Sequence, residues 1–150
     1  MFDELVLPGE LASLETIGQH VTTAAGRAGL DRAASYRLRL AVDEVATNSI
    51  THGYQENGLS GEVLMRVSID DQALTVILED TAPAFNPYER EPSEEATVSL
   101  PLEERQVGGL GLFLVLRGVD EFHYEYGDNR NRNIFIVKRP GAQGSAHDRT

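Results

Sequence analysis

Cysteine is absent from this 150-residue chain, which excludes disulfides, thiolate nucleophiles and cysteine-built zinc sites and accords with a cytoplasmic protein. Positive charge is scarce. Thirteen Lys and Arg stand against 24 Asp and Glu, a formal net charge of -11, so the surface is a poor electrostatic footprint for a phosphate backbone. Direct nucleic-acid binding is not expected, whereas a basic partner would be attracted. Long apolar runs are missing as well: the start MFDELVLPGEL has no basic lead-in, and no stretch reaches the roughly eighteen apolar residues of a membrane span. A soluble, unsecreted chain with no membrane partner is expected. What is present is ordinary, 41% hydrophobic and 25% charged residues, close to globular averages. The length suits one domain with a sizeable core. Residues 1–139 are expected to form it, and the small, polar residues 140–150 a disordered tail.

Periodicity divides the chain into elements. Phe2 to Leu7 reads as a strand stopped by Pro8-Gly9, and Glu10 to Ala28 as an amphipathic helix with Leu11, Leu14, Ile17, Val21 and Ala24 on one side. Asp31 can cap a second helix that runs to about Tyr54. Val63, Met65, Val67 and Ile69, then Leu74, Val76 and Leu78, alternate as two strands joined at Asp70-Asp71. Thr81 to Val107 breaks every period and carries four of the six prolines, which predicts a long loop of the kind that serves as a lid. A glycine cluster, Gly108 to Gly111, then opens an apolar helix. Phe122, Tyr124 and Tyr126 form a strand, Gly127 to Asn131 a turn, and Ile134 to Val137 the returning strand. The order predicts an α/β two-layer sandwich, a mixed, mostly antiparallel sheet covered on one face by helices.

Three separated segments carry the polar chemistry. Glu44, Asn48 and His52 are four apart, so they rise along one face of the second helix. Taken alone, that stripe is an ordinary solvated face. Asp80 stands where a strand ends. The glycine cluster would expose backbone N–H groups at the positive end of a helix, a seat for phosphates, although it lacks the lysine of a Walker loop and the preceding strand of a dinucleotide fingerprint.

Together these residues resemble a family. Glu44-Val45-Ala46-Thr47-Asn48 followed by Ser49 to Tyr54 is similar to the N box of the Bergerat-type ATP-binding fold shared by gyrase and histidine kinases. Asp80 to Pro87 resembles its first glycine box, and Gly108-Gly109-Leu110-Gly111-Leu112 its second. The resemblance runs from about Leu5 to Arg139, and its nearest branch is the bacterial anti-sigma factor serine kinases. It implies ATP and magnesium as cofactors. Asn48 would offer its side-chain oxygen to Mg²⁺, and Glu44 would act as the base near the γ-phosphate. Asp80, which as a carboxylate can only accept hydrogen bonds, would favour adenine over guanine. Ala82, Phe85, Gly108, Gly109, Leu110, Gly111 and Leu112 would line the nucleotide, Arg105 would clamp the γ-phosphate, and His52 would pack or hydrogen-bond at the helix end.

The same resemblance implies partners: a sigma factor that is sequestered, an antagonist (anti-anti-sigma) protein phosphorylated on serine, and a second copy in a homodimer. Two positions depart from the family pattern. Ala82 stands where the first glycine box keeps a glycine, and an added Cβ there could obstruct the backbone's approach to nucleotide. The threonine of the final hairpin has Asn133 as its nearest counterpart. An ATP-binding-fold module that exchanges partners without kinase activity, and a detached histidine-kinase catalytic domain, remain the alternatives.

Overall fold

The structure is a computed structural model that describes residues 2–86 and 116–141. Strand β1 (Phe2–Pro8) leads through a 3₁₀ turn (Leu11–Ser13) into helix α1 (Leu14–Ala28), and helix α2 (Arg32–Asn48) follows. Strands β2 (Glu62–Ile69), β3 (Ala73–Asp80), β4 (Glu121–Gly127) and β5 (Arg130–Lys138) complete the described elements. The sheet runs β1-β2-β3-β5-β4, and all of its pairings are antiparallel. β5 thus enters between β3 and β4.

Local chemistry explains the boundaries. Asp31 caps α2 by accepting the Ala34 N–H at 2.8 Å, and α1 ends at Gly29, whose φ of 81° is the left-handed value that glycine adopts freely. Asp70 turns β2 into β3 by accepting from the N–H groups of Gln72 and Ala73 at 2.7 and 2.8 Å, which holds its carboxyl below the usual range.

One face of the sheet is the core. Val63, Met65 and Val67 of β2, Leu74, Val76 and Leu78 of β3, and Phe135 and Val137 of β5 are buried against Ile17, Val21 and Ala25 of α1 and Leu38, Val42 and Val45 of α2. Each fully buried Leu, Ile or Phe contributes about 1.5–3 kcal/mol relative to exposure. The two-layer α/β sandwich read from periodicity is therefore the observed architecture.

Two boundaries differ from expectation. The second helix keeps its α pitch only to Asn48, then widens into a π-helix (Ser49–Tyr54) and ends in a 3₁₀ turn (Gln55–Asn57). The last hairpin turns on Asp128 and Asn129 alone, both at positive φ (54° and 61°), so β5 begins at Arg130 rather than after Asn131. The expected lid from Thr81 is described only to Asn86. The remainder of that stretch, the second glycine box and the tail from 142 onward lie outside the described residues.

Candidate functional site

The polar end of the core lies where the α2–π-helix junction meets the end of β3. Glu44 is half-buried on α2, and removal from water, with a smaller effect from the neighbouring Asp43 charge, pushes its carboxyl above the ordinary value of 4.5. Asn48, one turn later, is 8% exposed, and its buried Nδ2 has no hydrogen-bond partner among the described residues. A buried amide hydrogen without an acceptor is costly.

The π-helix pulls the next residues against β3. Ser49 brings its hydroxyl to Asp80. Tyr54 buries its ring between Gly9 and Gly61, where a Cβ on either glycine would come within 2.6 Å of the ring. Its hydroxyl donates to Glu62 O at 2.8 Å and accepts the Thr81 N–H at 2.9 Å. One phenol thereby fixes the helix end to the start of β2 and the exit of β3. π-Turns of this kind are frequent at functional sites.

Asp80 is 3% exposed and sits in a shell of dipoles. Its Oδ1 accepts from Asn131 Nδ2 at 2.8 Å and from the Ala82 N–H at 3.0 Å. Burial raises its carboxyl above the usual 3.8, against the lowering effect of those donors and of Ser49. Asn133, one step further along the inner face of β5, is 1% exposed, and its Oδ1 has no partner among the described residues.

Of the residues singled out from sequence, the fold brings Glu44 and Asn48 to one helix end and links that end to Asp80 through Ser49. Phe85 joins from the loop, its ring stacked on His52 with centroids 5.9 Å apart, while His52 Nδ1 meets Glu56 Oε2 at 2.8 Å. Ala82 is 2% exposed and does not adopt positive φ. Its methyl lies against Gly53, where a Cβ would approach it to 2.9 Å. Position 82 thus makes no demand for positive φ, and the methyl that replaces the family's glycine is matched by a glycine opposite. Arg105, Gly108, Gly109, Leu110, Gly111 and Leu112 lie outside the described residues. Asn131 was not anticipated because it had been placed in the hairpin turn. The alternation Asn131, Asn133, Phe135, Val137 on the inner face was the signal that could have found it.

This arrangement brings together a half-buried carboxyl, a carboxamide whose Nδ2 is without a partner among the described residues, and a desolvated acceptor. Residues 7–137 match the family of the histidine kinase-like ATPase domain. The chain belongs to that family. Among the relatives of this ATPase-family domain, the Bacillus subtilis (strain 168) protein named serine-protein kinase RsbW is 26% identical over 148 residues, spanning 98% of this chain and 91% of that protein. The Listeria monocytogenes serotype 4b (strain F2365) protein of the same name is 32% identical over 111 residues, 68% of this chain and 65% of that one. The chain spans 55% of the Bacillus licheniformis RsbW, which is 30% identical over 93 residues. A solved histidine kinase domain from an Erythrobacter litoralis blue-light activated histidine kinase overlays 84% of this chain and 59% of its own, at a TM-score of 0.49 and 20% identity.

Membership in this family implies ATP, and the residues present fit it. Nδ2 of Asn48 and Oδ1 of Asn133 are a donor and an acceptor without partners among the described residues. Among the described residues no group of three or more His, Cys, Asp or Glu could hold a metal ion. No helix among the described residues is long and apolar enough to cross a membrane.

Proposed function

We propose that this domain is an ATP-dependent protein serine kinase of the anti-sigma type. It phosphorylates a serine on an antagonist protein and sequesters a sigma factor in the cytoplasm, and it works as a homodimer. The observation that carries the reading is the joining of a desolvated glutamate, an unpartnered asparagine and a buried adenine-type acceptor at one junction of α2 and β3. The names of the relatives, serine-protein kinase, point the same way.

In this reading Asp80 accepts from the exocyclic amine of adenine, and Asn48 holds magnesium with the phosphates. The metal supplies neutralisation of the charge that builds up on the transferring phosphoryl group. Glu44 accepts the proton of the serine hydroxyl as its oxygen bonds to the γ-phosphorus and the bond to ADP breaks. Burial suits it to that task, because a carboxylate with a raised pKa is a stronger base. By the family resemblance, Arg105 and Gly108–Leu112, which lie outside the described residues, would serve the phosphates. Phe85 on His52 forms the wall at the mouth of the loop.

The test is transfer of labelled phosphate from ATP to a serine of the antagonist. Glu44→Ala is expected to lower the transfer rate by about a hundred- to ten-thousandfold, the usual contribution of a general base, while ATP affinity stays near wild type. A Glu44→Ala protein with unchanged transfer would sink the role given to Glu44. ATP binding with no transfer by the wild type would leave the partner-exchange module as the correct reading.

A further inference from the structure

Asn131 holds the first inward-facing position of β5, opposite Asp80 in the β3–β5 register, and is 2% exposed. Its carboxamide is engaged at both ends. Nδ2 donates to Asp80 Oδ1 at 2.8 Å and lies 3.0 and 3.1 Å from the carbonyl oxygens of Ala82 and Pro83. Oδ1 accepts the Phe85 N–H at 2.9 Å and also the Tyr124 hydroxyl. One side chain therefore spans the strand, the base-side carboxylate and the loop that carries Phe85.

We propose that Asn131 is a positioning residue that sets base specificity: by occupying Oδ1 of Asp80 it leaves the other carboxylate oxygen to meet adenine, and it fixes Ala82–Phe85 against the same site. The inference rests on the adenine reading of Asp80 given above. A carboxamide suits this place because it donates to a carboxylate with one end and accepts from a backbone N–H with the other. An aspartate in its place could not donate in its ionised form. A leucine could do neither. Burial alone would favour the neutral, hydrogen-donating form of Asp80, and Asn131 is the strongest of the donors that oppose it.

The test compares ATP with inosine triphosphate, which carries a carbonyl where adenine carries its amine, both with magnesium. Wild-type protein is expected to prefer ATP. Asn131→Asp keeps the acceptor for Phe85 and Tyr124 but sets a second carboxylate 2.8 Å from Asp80, where a shared proton converts one of the pair into a donor. The preference for ATP should then fall about tenfold or more and vary between about pH 6 and 8, unlike that of wild type. Asn131→Leu, which releases the loop and removes the donor to Asp80 without adding a carboxylate, should weaken both nucleotides and lower the preference for ATP less than Asn131→Asp does. A folded Asn131→Asp protein with the wild-type preference would overturn the proposal while leaving ATP binding by the domain intact. Should that variant not fold, the side-chain amide resonance of Asn131 in the wild type decides. Different shifts with the two nucleotides support the proposal, and identical shifts overturn it. Binding of neither nucleotide by the wild type would overturn the adenine reading itself, and this inference with it.

Discussion

Glu79 and Asp80 are adjacent carboxylates at the end of β3, equally withheld from solvent at 2% and 3% exposure, yet they face opposite sides of the sheet and live in opposite electrostatic surroundings. Glu79 lies on the face away from the helices among guanidinium groups: Arg132 Nε at 2.8 Å, Arg130 Nη1 at 3.6 Å and Arg66 Nη1 at 3.8 Å. Asp80 meets amide and hydroxyl donors on the helix side and, among the described residues, no cation. A buried charge matched by counter-charges is complete within the protein. One solvated only by dipoles keeps an unmet demand, and perturbed carboxylates of that second kind cluster at binding and catalytic sites. Accessibility alone would have ranked the two together.

The sharpest way to break this contrast is to remove each carboxylate in turn. Glu79→Ala leaves several arginines facing one another and should cost about 3 kcal/mol of unfolding free energy, the low end for a broken buried pair because the arginines reach water. Its ATP preference should not change. Asp80→Asn should do the reverse. Stability, read by urea denaturation, should shift by less than about 1 kcal/mol, while ATP affinity drops about ten- to a hundredfold, because the new amide turns a donor toward the adenine amine. Equal stability losses in both variants would erase the distinction.

A smaller effect tests how closely the N-box end approaches the loop after Asp80. Gly53→Ala brings a Cβ to 2.9 Å from the Ala82 methyl and should destabilise by about 1–3 kcal/mol through overpacking. Adding Ala82→Gly should recover most of that loss, and a double-mutant cycle measures the coupling.

The smallest effect is in pH. The folded-state value of Asp80 lies above 3.8, so on acidification the native chain takes up this proton before the unfolded chain does. That contribution to stability is fully present below 3.8 and is lost as pH rises through the folded-state value. Relative to Asp80→Asn, wild type should therefore gain stability on acidification while its ATP affinity declines, since a protonated carboxyl no longer accepts from the amine. Parallel movement of the two quantities would contradict the placement of the proton on Asp80.

Much of this was legible in the sequence because it rests on local periodicity. The apolar stripe of α2, the period-two alternation of β2 and β3, and the four-residue spacing of Glu44 and Asn48 each follow from backbone geometry. The π-turn had no local cue: it is held by the Tyr54 hydroxyl reaching the start of β2 and, 27 residues on, the exit of β3. Asn131 was hidden because Gly127 to Asn131 is rich in turn-forming residues, although the turn itself needs only Asp128 and Asn129. The arginines around Glu79 converge from two strands, and that meeting exists only once the register is known.

The place of β5 in the sheet also orders events in time. Asp80 leaves the ribosome 51 residues before its partner Asn131, and β5 must enter between β3 and a β4 that was itself made earlier. The growing chain can form the β1–β2–β3 side of the sheet and the paired helices without it, but through that interval Asp80 lacks its side-chain amide partner from β5. On the proposed adenine role of Asp80, nucleotide competence is therefore a late event of synthesis, reached when the last described strand arrives. A nascent chain halted before β5 would carry the glutamate, the asparagine and the aspartate with no formed base pocket.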